Sequence, residues 1–241
     1  LTGKHSHVNG KRDNSDEFNM AQPTFNKMLQ QAGYQTAMIG KWHLKTDPTG
    51  FDHWQVLPGQ GSYYNPDFKT AEGRQRYTGY VTDIITDLAL DWLAKRDAGK
   101  PFFCWVHLFD PHYPYFAHPA LEGTRYEGQK SYDAEVAFMD TQVGRLLDYL
   151  EREGLREEVL VVAAGDHGEG LSGDRENGHG HMLYEYTLRV PLIFSRPGAI
   201  TPGPRVPAMV SLVDLYGTVL DLLGFDDADA RSGRSLAPAL A

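Results

Sequence analysis

Six consecutive apolar residues, Val159 to Ala164, run without a break into Gly165-Asp166-His167-Gly168-Glu169. A run this short and apolar on both faces suits an internal strand of a parallel sheet, covered by helices on each side. Asp166 and His167 then stand at its carboxyl end. The rest of the chain supplies the neighbours such a strand requires. Phe25, Met28, Leu29 and Ala32 fall at i, i+3, i+4 and i+7 with Gly33 behind them, which predicts a short helix. Tyr34 to Ile39 reads as a strand ended by Gly40, and Val81, Ile84, Ile85, Leu88, Trp92 and Leu93 form a second helical stripe. Phe102 to Leu108 is the next strand, and Val136, Met139, Val143, Leu146, Leu147 and Leu150 give a long amphipathic helix ending near Gly154. Val190 to Ser195 and Leu212 to Leu223 add a further strand and a final helix stopped by Gly224. Strand and helix alternate, so right-handed crossovers predict a doubly wound α/β domain, a mostly parallel sheet sandwiched by helices. Lys45 to Gly79 has no clear period and reads as an excursion loop, whose six aromatics from Phe51 to Tyr77 favour an ordered lid or pocket wall. A second polar, aromatic loop runs from Asp110 to Lys130.

Composition narrows the function classes. A chain of 241 residues, 41% apolar, is enough for one domain spanning residues 1–241 with a sizeable core. The formal charge of −9, with neither sign gathered into blocks, argues against nucleic acid as a partner. No apolar run reaches the roughly 18 residues of a membrane span, so no membrane insertion is expected. Both ends look cut: Leu1-Thr2-Gly3 opens without a leader and Ala237 to Ala241 stops without a terminal element. With Cys104 alone, no intrachain disulfide can form.

In open parallel sheets, ligands gather outside the carboxyl ends of the strands. Lys41 and His43 follow the first strand, His107, Asp110 and His112 end the second, and Asp166 and His167 follow the third. All three clusters therefore fall on one edge. Asp166 and His167 offer a hard carboxylate and an imidazole suited to a divalent cation. The competing reading is a helix N-cap at Asp166, which Gly168, Gly170, Gly173, Gly178 and Gly180 oppose. Lys41 and His43, two apart, suit an oxyanion ester, the first by charge and the second by moving a proton; alternatively they are a solvated lysine and a packed histidine. His112, in the turn around Pro111 and Pro114, is a catalytic candidate, whereas His107 is either core or a support for the site. His179 and His181 lie in a Gly-rich segment and either close over a ligand or belong to a surface loop.

In family order, these segments resemble the sulfatase branch of the alkaline phosphatase superfamily. Leu1-Thr2-Gly3-Lys4 is similar to the tail of the sulfatase signature, and Gly40-Lys41-Trp42-His43-Leu44 to GKWHLG, with Lys45 in place of the last Gly. Gly50-Phe51-Asp52-His53-Trp54 and Gly59 to Pro66 resemble the stretch found in sulfatases acting on sulfated sugars. Pro111-His112-Tyr113-Pro114-Tyr115 resembles PHxPY, Asp166 to Glu169 the DHGE motif, and Tyr184-Glu185 through Arg189-Val190-Pro191-Leu192 the YExxxRVPL motif. Ser211 to Leu215 and Gly233 to Leu236 resemble the closing S-x-V-D-L and GRSL.

The resemblance implies an alkaline-phosphatase-like core and a sulfuric ester hydrolase that removes sulfate from a sulfated sugar or an aryl or alkyl sulfate. It implies a formylglycine nucleophile, about eight residues upstream of Leu1 by family spacing, and a Ca2+ ion, with Mg2+ as the alternative. Two further acidic ligands are expected upstream too, so Asp166 and His167 supply half a metal site and the fragment should not turn over. On matching positions, Lys41 would hold sulfate oxygens, His43 would take a proton during sulfate release, and His112 would protonate the leaving alcohol. Where many members carry Lys four residues before the motif Tyr, this chain has Gly180, and His179 or else His181 is the nearest substitute. Such a swap would make sulfate binding pH-sensitive. The resemblance also points to export. A phosphodiesterase or phosphonate monoester hydrolase of the same superfamily, or a non-catalytic binder of sulfated glycans, are the competing readings. A zinc enzyme is disfavoured by the lack of a short ligand spacing such as HExxH.

Overall fold

A computed structural model describes residues 1–171, 177–203, 205–226 and 231–240; Gly173 and Ala241, invoked above, lie outside them. In chain order the elements are α1 (Ser6–Asn9), α2 (Phe25–Gln31), β1 (Gln35–Trp42), β2 (His53–Pro58), β3 (Asp67–Thr70), β4 (Gly73–Arg76), α3 (Val81–Lys95) and β5 (Phe102–His107). After a 3-10 turn at Pro119–Leu121 come α4 (Tyr132–Arg152), β6 (Val161–Ala164), α5 (Glu185–Leu188), β7 (Leu192–Ser195), α6 (Asp214–Leu222) and α7 (Ala237–Leu240). Five strands form one sheet in the order β4-β3-β2-β1-β5. β1 is parallel to both β2 and β5, and β3 and β4 extend the β2 side antiparallel. The mostly parallel α/β expectation therefore holds for the main sheet.

Side-chain alternation along the strands builds a core on each face. On one face Ile39, Leu57 and Phe68 pack with Val81, Ile84, Ile85 and Ala89 of α3, joined by Cys104 and Val106 of β5. On the other, Phe103 and Trp105 meet Phe25 and Leu29 of α2 and Tyr216 and Leu220 of α6. Each fully buried side chain of this kind contributes about 1.5–3 kcal/mol, so the two helix layers fix the sheet between them. α4 packs along α3; the Ser131 hydroxyl accepts the Ala134 N–H at 3.3 Å as its N-cap. No helix among the described residues is long and apolar enough to cross a membrane.

Three sequence expectations need correction. The stretch from Lys45 to Gly79 is not an excursion loop throughout, because it contains β2, β3 and β4. Only Val56, Leu57 and Phe68 of those strands are buried, and β4 is exposed along its length. Their pairing comes from neighbouring strands rather than from an apolar period of their own. Gly40 does not end β1, which runs on to Trp42. At φ +117°, Gly40 lets β1 pass close to β5: a Cβ there would sit 2.0 Å from the His107 carbonyl oxygen. Finally, β6 is not an internal parallel strand. It pairs antiparallel with β7 in a separate two-stranded sheet, and Ala163 and Ala164 are exposed. An apolar run specifies burial on both faces but names no pairing partner, and β7 returns alongside it.

The remaining motifs are structural staples. Gly168 donates its N–H to the Thr187 carbonyl at 2.9 Å, and a Cβ on Gly168 would meet the Tyr186 carbonyl oxygen at 2.0 Å. Only glycine lets these two segments touch. Buried Asp214 accepts the backbone N–H groups of Ser211 and Arg234 at 2.8 and 2.9 Å, tying the two closing motifs together.

Candidate active site

The carboxyl ends of β1, β5 and β6 converge on one cavity, lined by Lys41, residues 107 to 112, Tyr132, and residues 166 to 169. Strand register explains the first contact: Gly40 pairs with His107, so Lys41 emerges beside the end of β5. Lys41 is buried, with its ammonium 5.0 Å from the centre of the Phe109 ring. Burial lowers its pKa and the nearby Asp166 charge opposes that shift. The result is a cation held ready for an anion on an apolar floor.

His107 Nε2 lies 3.9 Å from Asp166 Oδ2, and this contact joins the two sheets. Desolvation depresses the His107 pKa, with Asp166 acting in the opposite sense. Desolvation pushes Asp166 upward, but the attraction of His167, His107 and Lys41 prevails and its pKa is lowered. Asp166 is thus held ionised. No helix follows it among the described residues, which disposes of the N-cap reading.

His112 is fixed by its first ring nitrogen. Nδ1–H donates to the Tyr113 carbonyl at 2.6 Å, and the Tyr63 hydroxyl lies 3.1 Å from the same nitrogen. Nε2 is left as the proton-handling atom. Burial lowers the His112 pKa, the Tyr113 carbonyl raises it, and the charges of Lys41 and His179 lower it. His179 does not line the cavity wall but stacks on His167 at 3.8 Å and meets His112 edge-on at 5.3 Å. Its Nδ1 lies 3.2 Å from both carboxylate oxygens of Glu169. His181 is exposed and is not part of the cavity lining. His43 is also outside the lining; its pKa is lowered by desolvation and then by the charges of Lys41, Lys11 and Lys45.

Sequence reasoning gave no role to Glu169, Tyr63 or the group behind His112. The signal for Glu169 was its place directly after the Asp166-His167 pair. Behind the His112 loop, the Tyr80 hydroxyl donates to Asp110 Oδ1 at 2.7 Å and lies 3.4 Å from Glu135 Oε2. His118 Nε2 donates to Glu135 Oε2 at 2.9 Å, and the Phe116 N–H donates to Glu135 Oε1. All four of Tyr80, Asp110, His118 and Glu135 are buried. Desolvation, then the Glu135 charge, pushes Asp110 up to about 7. Among the described residues, Asp110 Oδ2 has no hydrogen-bond partner.

With this geometry in hand, comparison with known proteins decides the family: the Sulfatase family model matches residues 1–225. The chain belongs to the sulfatase family. Among curated sulfatases, an N-acetylglucosamine-6-O-sulfatase of Bacteroides thetaiotaomicron is 32% identical over 100% of this chain and 61% of its own length. The human N-acetylgalactosamine-6-sulfatase is 28% identical over 89% of this chain and 47% of its own length. A solved structure in complex with its substrate, D-glucosamine-2-N,6-O-disulfate, superposes with a TM-score of 0.90 at 31% identity, covering 100% of this chain and 68% of that one. The chain thus spans about half to three-fifths of the length of these curated sulfatases. Within the sulfatase fold, Asp166 offers an ionised oxygen. His167 commits Nδ1–H to the Gly168 carbonyl at 2.9 Å, with Nε2 lying 3.6 Å from Asp166 Oδ2. Among the described residues, no group of three His, Cys, Asp or Glu is placed to hold a metal ion. The pair fits part of a divalent-cation site. Cys104 offers no nucleophile, since burial pushes its thiol up to about 12.

Proposed function

We propose that this chain carries the ester-binding and proton-transfer groups of a sulfuric ester hydrolase, acting on a sulfated sugar or an aryl or alkyl sulfate. The observation that supports it is the convergence of Lys41, His107, His112, Asp166 and His167 on one cavity at the carboxyl ends of β1, β5 and β6. Lys41 binds the sulfate oxygens, because a buried ammonium gains most from an anion that replaces its lost water. His112, oriented through Nδ1, presents Nε2 to the bridging oxygen and protonates the departing alcohol. His179, steadied by Glu169, lies over His167 where it can contact a sulfate oxygen, and His181 is the second choice for that role. His43, kept neutral by its surroundings, is the proton acceptor during sulfate release. Asp166 and His167 would contribute to binding Ca2+, or Mg2+, which when bound supplies Lewis-acid polarisation of the sulfate. A formylglycine nucleophile is assigned outside this chain.

The intact enzyme should be assayed on an aryl sulfate beside the matched aryl phosphate. Preferential sulfate release is expected. A clear phosphate preference would replace the reading with a phosphoryl hydrolase of the superfamily, and binding without turnover of either ester would mark a glycan-binding relative.

A further inference from the structure

Glu135, the fourth residue of α4, is wholly buried at 0% exposure. Removing a carboxyl group from water is unfavourable unless its oxygens are hydrogen-bonded. The packing of α4 does not call for one here, since its neighbours Ala134 and Phe138 fill the same core with apolar side chains. The partners of the carboxyl group explain the choice. Oε1 accepts the Phe116 N–H, and Oε2 accepts from His118 Nε2 at 2.9 Å. Oε2 also lies 3.4 Å from the Tyr80 hydroxyl, which donates to Asp110 Oδ1 at 2.7 Å. The His118 ring is clamped in turn, stacked on Phe138 at 3.9 Å and meeting Tyr80 edge-on at 4.9 Å. One side chain of α4 therefore gathers both ends of the segment 110–118, directly at Phe116 and His118 and through Tyr80 at Asp110.

His112 lies between those two ends. The tip of the segment is weakly packed, with Tyr113 and Pro114 both exposed. Its tie is the Tyr63 hydroxyl, 2.5 and 2.7 Å from the His112 and Tyr113 carbonyl oxygens. The Tyr63 ring rests on Phe116 at 5.0 Å, so this tie also refers back to the end that Glu135 holds. The same helix reaches the cavity wall through Tyr132, one turn before Glu135. We propose that Glu135 is a positioning residue for His112: by fixing both ends of the His112 segment against α4, it sets where His112 Nε2 stands relative to the bridging oxygen of the ester. This rests on the reading of His112 as proton donor to the leaving alcohol. Glu135 itself touches no reacting atom. Its loss should therefore be felt only by esters whose leaving group needs the proton.

The test compares Glu135→Ala, Glu135→Gln and Tyr80→Phe in the intact enzyme, each alone and combined with His112→Ala, on an alkyl sulfate and on nitrophenyl sulfate. Misplacing a catalytic group by about 1 Å costs on the order of 10²-fold. Glu135→Ala should therefore lower kcat about 10²-fold for the alkyl ester and at most about twofold for nitrophenyl sulfate, with KM little changed. Glu135→Gln keeps an oxygen for the Phe116 N–H and should fall between Glu135→Ala and wild type. Tyr80→Phe severs only the tie to Asp110 and keeps the ring, so a loss of roughly tenfold with the same leaving-group pattern is expected. Combined with His112→Ala, no variant should lose more, because nothing is left to position. Equal losses on both esters, or losses that multiply with that of His112→Ala, overturn the proposal and leave Glu135 a structural residue. Should Glu135→Ala fail to fold, Tyr80→Phe and Glu135→Gln decide between these outcomes. NMR of the histidine-labelled chain separates this inference from the proton-donor reading. His112 meets Phe109 edge-on at 5.7 Å in the wild type, and the cross-relaxation between their rings should change in Glu135→Gln and Tyr80→Phe. If it changes while His112→Ala loses equally on both esters, the placement stands and the proton-donor reading falls. If it does not change, the placement falls.

Discussion

Asp110→Asn is the substitution that most directly tests the buried group behind His112. A carboxyl whose ordinary pKa is 3.8 is held at about 7 on the folded chain. In the unfolded chain it loses its proton at the ordinary value. Between those two values the folded chain binds more protons than the unfolded one, so stability falls as pH rises and levels off above about 7. From pH 5 to pH 8 the unfavourable contribution grows by at most about 3 kcal/mol, at about 1.36 kcal/mol per decade of proton concentration. The Glu135 charge is one of the causes of the shift and both carboxyls meet the Tyr80 hydroxyl, and interaction within such a pair reduces the figure to about 2 kcal/mol. Asparagine cannot ionise, keeps an oxygen for Tyr80, and puts an N–H group where Asp110 Oδ2 has no partner among the described residues. We therefore expect Asp110→Asn to gain about 2 kcal/mol over wild type on going from pH 5 to pH 8, or about 4–8 °C in Tm for a domain of this size. Scanning calorimetry of both chains at pH 5, 6, 7 and 8 gives the double difference, in which His107, Lys41 and the other titrating groups largely cancel. Parallel profiles for the two chains would refute the argument, because Asp110 would then be ionised throughout.

Four further expectations follow from particular contacts. Gly40→Ala places a methyl group 2.0 Å from the His107 carbonyl oxygen at φ +117°, and should lower stability by about 3 kcal/mol or more in urea titration. Cys104, with its thiol pushed up to about 12 by burial, should stay unreactive toward a disulfide reagent at pH 8 until the chain is denatured. In the intact enzyme, Asp166→Ala should abolish turnover and weaken Ca2+ binding measured calorimetrically, and wild-type turnover would remove Asp166 from the site. His112→Ala should cost about 10²- to 10⁴-fold for alkyl sulfates but far less for nitrophenyl sulfate, whose leaving group needs no proton. A uniform loss across both would assign His112 to binding instead.

Much of this could be read from the chain because local period and burial agreed. The stripe from Val81 to Leu93 falls in α3, which buries Val81, Ile84, Ile85 and Leu93, and the run from Phe102 to Leu108 gives β5, half-buried along its length. The strand-end rule brought Lys41, His107, His112 and Asp166 to one edge before any geometry was known. What it could not supply was pairing. β2 is half polar, β4 is wholly exposed, and β6 owes its antiparallel partner to the path of the chain after Gly165. The acid at Glu135 reads as an ordinary first-turn residue favoured by the helix dipole. Only the turn of α4 toward Asp110 and His118 reveals it as a fully buried carboxylate. Lys45, which stands where the resembled family pattern has glycine, adopts φ +61°, in the left-handed region that favours glycine.

His107 and Asp166 belong to different sheets and face each other across 3.9 Å. An anion resting on Lys41, or a cation held by Asp166 and His167, would therefore act as a clasp between two parts of the molecule that share no strand pairing. Its affinity would include the free energy of holding those parts together, and its addition would raise resistance to local opening in proportion to occupancy. Hydrogen exchange in β6 and β7, followed during such a titration, would measure occupancy without any chemical turnover.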